Sequence, residues 1–434
     1  MVLAAGVGAT VGGSWAATNI PTKPGLKAAD LFRSIRNGRV KALWVMATNP
    51  VVSLPDTELV RDALAACPFV VVSDCVADTD TNRFAHVKLP AAAWGEKDGT
   101  VTNSERTISR QRALFPLPNE VKPDWWIVTQ VAHALGWRAA FPYERPADIF
   151  REHARLSAYR NEGQRLFDIG QHGTIGNHDY AAMEPHRRSQ APFAERRFPT
   201  ADRKARLVHV VQRPLGPALE KWPLTLNTGR YRDHWHTMTR TGLSPKLSQH
   251  RREPMVELHP LDAKELKLGE GDLVRVATPQ GDSVYRVLIS EGQRRGEIFT
   301  PIHWTDCQST GGRTGLLPQA LVDPHSGQPG FKATPARVQK LPIKWHGFLI
   351  APGRPLALPA DHHHALRVAQ GWLVELAGTG APDALLKSLP AGERAESLDR
   401  GRGTLRVAVV AQGRLTAALF VTESGTLPDR EWLI

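Results

Sequence analysis

Residues 40–74 read VKALWVMATNPVVSLPDTELVRDALAACPFVVVSD, and the spacing of apolar residues in that stretch decides the fold class. Val40–Ala47 is an almost continuous apolar run that ends in Thr48-Asn49-Pro50. Pro68–Val72 is a second run, ending in Ser73-Asp74. Short apolar runs without polar alternation mark strands covered on both faces, as in a parallel sheet. Between them Pro55-Asp56 opens a helix running through Cys67, with proline and aspartate where a helix start favours them. Working outward, Leu31–Gly38 reads as a helix and His86–Pro90 as a third strand leading into Trp94-Gly-Glu-Lys-Asp-Gly-Thr100. Asp124–Leu135 closes this layer as an amphipathic helix with Asp124 in its first turn. Ligands of such sheets sit beyond the carboxyl ends of the strands, which points to Asn49, Ser73, Asp74 and Lys97 together.

Further along the pattern changes. Residues 145–215 are rich in Arg, His and Pro with weak periodicity, the mark of a connecting region with short helices. From 220 to 340 short strands alternate with Gly-containing turns, a compact β-barrel pattern. The first of these strands, Trp222–Asn227, runs into TGRYRDHWHTMTRTG at 228–242. Glycine lets backbone N–H groups approach an anion closely, while Arg and Thr donate to phosphate or carbonyl oxygens. Residues 341–434 read as a small α+β module with Arg406–Val410 and Ala417–Val421 as paired strands. The expected division is therefore 20–150, 151–219, 220–340 and 341–434.

Composition narrows the function classes. The 434 residues are 41% hydrophobic and 23% charged, which describes a globular chain, and no apolar run is long enough to span a bilayer. The first residues lack the basic n-region of a secretory signal, so a cytoplasmic address fits. The net charge of +12 is spread along the chain without a Lys/Arg block, which favours a small anion or a polyphosphate cofactor over nucleic acid. Cys67, Cys75 and Cys307 are too scattered to build a four-thiolate site. His362-His363-His364 reads as a solvated loop rather than a metal site. GVGATVG at 6–12 lacks the preceding strand of a phosphate loop, and Ser104 has no base beside it for nucleophilic work.

Six stretches taken in order carry a resemblance: KALWVMATNPVVSLPD (41–56), VVVSD (70–74), AAAWGEKDGTVTNSERTISRQR (91–112), KPDWWIV (122–128), the 228–242 stretch, and DPHSGQPGFKATPARV (323–338). They resemble the molybdopterin oxidoreductase family, which carries bis-molybdopterin guanine dinucleotide with molybdenum, and within it the assimilatory nitrate reductase catalytic subunits. The resemblance implies an α/β chain: a Rossmann-like parallel-sheet domain, a double-psi-type β-barrel and the small α+β module. It implies that Asn49, Ser73, Asp74, Lys97 and Asp124 contact one guanine dinucleotide arm. It places Thr228, Gly229, Arg230, His234, Trp235, His236 and Thr237 along the pterin arms, with His303, Trp304 and Lys332 as later contacts near the pterin.

The departures also carry expectations. None of the three cysteines stands where the family has its iron–sulfur cluster or its molybdenum ligand. The chain thus reads as the carboxyl-terminal half of a catalytic subunit, with the iron–sulfur cluster belonging to the intact subunit and not held by this chain. Its expected partners are nitrate and either the missing N-terminal half or an electron-donor protein or domain, with neither nucleic acid nor membrane. The intact subunit would reduce nitrate to nitrite, and this chain alone would be inactive. Arg230, Arg232 and Arg240 are candidates for concentrating nitrate. The alternatives are an isolated or truncated cofactor-binding module without activity, or a related formate dehydrogenase or periplasmic-type nitrate reductase. Gly315 and Gly330 stand where the family has Asn and Glu, which at 315 removes a side-chain contact to the pterin.

Overall fold

A computed structural model describes residues 13–15, 20–21, 23–118, 120–163, 165–189, 196, 198, 200–209, 220–355 and 358–434. The GVGATVG stretch at 6–12 and much of 190–219 lie outside the described residues.

The first layer follows the apolar pattern. Helix α1 (Ala28–Arg36), strand β1 (Ala42–Met46), the short helix α2 (Pro50–Ser53), helix α3 (Thr57–Ala66) and strands β2 (Phe69–Asp74) and β3 (Val87–Pro90) come in that order. The strands form a parallel sheet, β1-β2-β3, with Leu43 opposite Val70 and Val71 opposite Val87. Val45, Val70 and Val72 on one face pack on Phe32, Ile35, Val60 and Leu64 of the helices. Asp56 takes a left-handed φ of 53° before α3 and makes no side-chain cap, so Pro55 and Asp56 turn the chain rather than cap the helix.

A second small sheet joins β4 (Gly99–Thr102), β5 (Thr107–Gln111) and β6 (His186–Arg187) in that order. Helix α4 (Asp124–Ala134) follows, then α5 (Pro146–Ala158) and α6 (Asn177–Ala182). The described part of the expected connector shares a core with the preceding layer: Ala147, Phe150 and Ala154 of α5 pack on Ile108 of β5 and on Ile169, Tyr180 and Met183. The Arg, His and Glu residues on the solvent side of α5 diluted its apolar stripe in the sequence.

The barrel is closed. Strands β7 (Leu224–Gly229), β8 (Met255–Leu258), β9 (Leu273–Ala277), β10 (Asp282–Ile289), β11 (Glu297–Pro301) and β12 (Thr334–Lys340) run β10-β8-β11-β7-β12-β9, and β9 pairs back onto β10. Helix α7 (Pro260–Glu265) bridges β8 to β9. The pairs β7–β11 and β8–β10 are parallel and the others antiparallel. Alternate inward residues, among them Leu226, Val256, Leu258, Val274, Val276, Tyr285 and Ile298, fill the interior.

The last module is a six-stranded antiparallel sheet. Strands β13 (Trp345–Ala351), β14 (His362–Val368), β15 (Gly371–Gly378), β16 (Glu393–Asp399), β17 (Thr404–Ala411) and β18 (Arg414–Thr422) lie in the order β14-β15-β13-β18-β17-β16, followed by helix α8 (Arg430–Leu433). The expected pairing of 406–410 with 417–421 is present, with Val409 opposite Ala417. The solvated loop expected at the triple histidine is overturned. His362 and His364 are 2% and 1% exposed on β14, because the strand's edge seals against the barrel through a bridge between Ser309 and His364.

Two features lock the barrel to the parallel layer. Asp306 pairs with Arg61 at 3.0 Å and with Arg313 at 3.4 Å, while Arg313 reaches Glu58 at 2.5 Å. Beside them a Cβ on Gly315 would lie 2.8 Å from the Val52 carbonyl and 2.9 Å from that of Leu54. A side chain at 315 would therefore crowd the backbone of the parallel layer. Glycine here serves close packing.

Candidate functional site

The carboxyl ends of the parallel strands face the barrel loop that follows β7. Between them lies a cleft of about 320 Å³. Its walls include Asn49, Asp74, Lys97 and Asp124 from the sheet layer and Trp235, His236, Thr237 and Arg240 from the loop.

Each wall residue is placed by local structure. After β1, Ala47 takes a left-handed φ of 52°, which turns the chain out of the sheet and leaves Asn49 before α2. Asn49 is buried and bonded through both ends of its amide. Its Oδ1 accepts from the Thr81 N–H at 3.2 Å and hydroxyl at 2.6 Å, and its Nδ2 donates to Thr237 Oγ1 at 3.1 Å. One amide thus ties strand end, neighbouring loop and barrel loop together.

Asp74 ends β2 and accepts from Val76 N at 3.0 Å. Burial raises its pKa, against the lowering pull of those backbone donors and of Arg240. Lys97 Nζ meets Asp124 Oδ2 at 2.5 Å, and Asp124 opens α4, where a helix dipole favours a carboxylate. The other oxygen, Oδ1, is buried without a hydrogen-bond partner among the described residues.

The barrel loop is strained and cross-braced. His236 and Met238 hold left-handed φ values of 47° and 58°. Arg230 lies over the Trp235 ring at 5.4 Å, and Trp235 meets His236 edge-on at 4.7 Å. Burial, then Arg230 and Arg240, push the pKa of His236 down.

Seven of the fifteen residues expected at the site line the cleft: Asn49, Asp74, Lys97, Asp124, Trp235, His236 and Thr237. Ser73 does not. It points to the opposite face of β2, fully buried, where its hydroxyl accepts from Trp44 Nε1 at 2.7 Å. Thr228, Gly229 and Lys332 cluster at the end of β7, with Thr228 Oγ1 donating to the Phe331 carbonyl at 2.9 Å and Lys332 Nζ donating to the Thr228 carbonyl. Arg230 is not in the cleft wall, and its guanidinium lies over the Trp235 ring. His234, His303 and Trp304 are buried beneath the loop, at 5%, 0% and 0% exposure. Burial pushes the pKa of His234 down to about 4.

Sequence reasoning missed other wall residues. Cys75 follows Asp74 directly, Trp94 precedes Lys97 in the same segment, and Ala91, Ala92 and Ala93 line the cleft. The signal for the last was legible: three consecutive small residues beside a ligand-bearing turn leave open space. Arg240 had been singled out for nitrate, yet it joins the wall shared with Lys97.

Residues 4–134 match the molybdopterin oxidoreductase family and residues 224–335 match the molydopterin dinucleotide binding domain. The chain belongs to the molybdopterin oxidoreductase family. The two matched stretches supply the two walls of the cleft, and the second implies a molybdopterin dinucleotide cofactor. Among relatives, a nitrate reductase of Klebsiella oxytoca is 49% identical over 370 residues, 84% of this chain and 43% of the relative. The assimilatory nitrate reductase catalytic subunit of Bacillus subtilis is 32% identical over 322 residues, 74% of this chain and 44% of that one. An F420-dependent formate dehydrogenase subunit alpha of Methanocaldococcus jannaschii is 32% identical over 304 residues, 70% of this chain and 43% of that one. This oxidoreductase family member therefore spans less than half the length of these relatives. Acetylene hydratase from Pelobacter acetylenicus shares the fold, with a TM-score of 0.60 at 18% identity over 74% of this chain and 47% of that one.

The cleft residues fit a guanine nucleotide arm of the family's cofactor. Asp124, whose Oδ2 holds Lys97, brings to the cleft wall a carboxylate of the kind that guanine N1–H and its 2-amino group require. Lys97 and Arg240 supply cations for a pyrophosphate, and Trp94 and Trp235 supply indole faces.

Proposed function

We propose that this chain supplies the guanine-nucleotide cradle and the barrel wall of an assimilatory-type, molybdenum-dependent nitrate reductase. One observation carries the reading: four segments of the sheet layer and the loop of the barrel converge on a single cleft lined by the Asp124 carboxylate and by the cations of Lys97 and Arg240. When bound, the bis-molybdopterin guanine dinucleotide supplies the redox chemistry that takes an oxygen atom from nitrate to give nitrite. The chain's own residues bind and orient. Asp124 reads the guanine edge, Lys97 and Arg240 hold the diphosphate, and Asn49 keeps the two walls at a fixed spacing. Arg230, partly stacked on Trp235, adds positive potential on the nitrate side.

Nitrate as substrate is supported by the names of the nitrate reductase relatives. The formate dehydrogenase relatives favour formate oxidation as the second reading. A cytoplasmic site of action accompanies the assimilatory reading; no described helix is long and apolar enough to cross a membrane. A complementing polypeptide, the rest of a family subunit with its iron–sulfur cluster, fits a further feature. Phe69, Met46 and Val87 of the parallel sheet stay 46%, 36% and 38% exposed, although such sheets are ordinarily covered on both faces.

Calorimetric titration with GDP tests the cradle. GDP should bind, IDP, which lacks the 2-amino group, should bind about tenfold more weakly, and Asp124→Asn should abolish that preference. Equal affinity for GDP and ADP would sink the guanine assignment. A reduced-viologen assay tests the rest: the purified chain alone should form no nitrite from nitrate, and steady turnover would refute its dependence on a complementing part.

A further inference from the structure

His303 follows β11 and is wholly buried beneath the barrel loop. Its Nε2 receives the Tyr231 backbone N–H at 2.8 Å, and its Nδ1 lies 2.7 Å from the His236 carbonyl. A backbone N–H can only donate, so Nε2 is the unprotonated nitrogen and Nδ1 carries the hydrogen that the carbonyl accepts. One neutral ring in one tautomer therefore grips both ends of the arc 231–236. That arc leads into the left-handed residues His236 and Met238, conformations that persist only where the surroundings over-determine them. The other braces are lighter. Thr241 Oγ1 lies 3.3 Å from both the Trp235 N–H and His234 Nδ1, and Asn49 holds Thr237.

We propose that His303 is a positioning residue: its doubly bonded neutral ring holds the 231–240 loop in the shape that presents Trp235, His236, Thr237 and Arg240 to the nucleotide. This deepens the cofactor reading and rests on it for the identity of the ligand alone. It also gives His303 a different place from direct contact with the pterin, since the ring has no free nitrogen and no exposed surface.

The same geometry makes the loop sensitive to acid. A proton on Nε2 sets a donor against the Tyr231 N–H and breaks that bond. The groups facing the ring are Arg230, Tyr231, His234 and His236 from the loop and Trp304 beside it in the chain. Burial pushes the imidazole pKa down, against the hydrogen bond to the His236 carbonyl and together with the charge of Arg230.

Hydrogen exchange of the 230–242 segment in the ligand-free chain, corrected for intrinsic rates, reads the proposal directly. His303→Phe should speed exchange there by about tenfold or more while strands β17 and β18 stay protected. In the wild type, protection should fall as the pH drops through the imidazole titration. His303→Gln, which keeps an acceptor for Tyr231 but cannot gain a proton, should lack that acid limb. Unchanged protection in His303→Phe, or the same acid limb in His303→Gln, overturns the proposal; should His303→Phe fail to fold, the glutamine pH profile decides alone. GDP titration then separates the two ideas. A wild-type chain that shows the His303-dependent protection yet ignores GDP supports the positioning role and overturns the guanine reading.

Discussion

Replacing Gly315 by alanine sets two effects of opposite sign against each other. Gly315 does not occupy the left-handed region, so a methyl group restricts the unfolded chain and by itself stabilises by about 0.4–1 kcal/mol. In the folded chain that methyl would lie 2.6 Å from Thr57 Cγ2, 2.8 Å from the Val52 carbonyl and 2.9 Å from the Leu54 carbonyl. Two of these neighbours are backbone at the C-terminal end of α2, which cannot swing aside as a long side chain does. Overpacking of this kind costs about 1–3 kcal/mol, and with backbone as the obstacle the upper part, about 2–3 kcal/mol, applies, so the net effect is a loss of about 1–2.6 kcal/mol. At about 2–4 °C per kcal/mol for a folding unit of 150–250 residues, the unfolding midpoint should fall by about 2–10 °C. Gly353→Ala is the matched control, because its Cβ would meet nothing within 4 Å among the described residues. Gly315→Ala should also weaken GDP binding, since the glycine seats the barrel against the layer that carries Asn49. Thermal unfolding of both variants beside the wild type decides the matter. A Gly315→Ala chain as stable as the Gly353→Ala control, with unaltered GDP affinity, would show that the two layers have slack and that the close approach does not set the cleft.

Two further outcomes follow from the titratable groups. Burial raises the Asp74 pKa, so its contribution to stability is present below the usual carboxylate value of 3.8 and is lost as pH rises through the folded value. Asp74→Asn should therefore raise the unfolding midpoint at pH 7, and the gain should fade on acidification; no gain at pH 7 would contradict the burial argument. His362 and His364 behave oppositely: burial pushes both down to about 3 from 6.5, so their contribution is present above 6.5 and is lost as pH falls towards 3. Each should subtract about 2 kcal/mol by pH 5, and a His362→Leu/His364→Leu double variant should flatten the stability profile between pH 7 and pH 5 in denaturant titrations. An unchanged profile would show that these rings are not what acid attacks.

Much of the cleft was legible because its residues end apolar runs. Asn49, Asp74 and Lys97 follow strands that hydrophobic patterning alone reveals, and the ligand side of a parallel sheet is set by strand direction. Ser73 and Asp74 were read as a pair, yet adjacent strand residues face opposite sides. Only the paired sheet, with Trp44 over Ser73, shows which of the two turns to the cleft. The triple histidine was misread for a related reason. Polarity suggested solvent, but β14 is an edge strand closed against the barrel, and burial there depends on a contact more than fifty residues away in the chain.

The order of elements, the two kinds of sheet and the candidates at strand ends belong to the one-dimensional pattern, because hydrophobic periodicity and turn chemistry act over a few residues. The division of roles in the 228–242 stretch belongs to the three-dimensional structure. There Trp235, His236 and Thr237 line the cleft while His234 is buried, and His303, more than sixty residues on, braces them from below. Which side of a loop meets solvent is settled by what packs against it, and those partners come from distant parts of the chain.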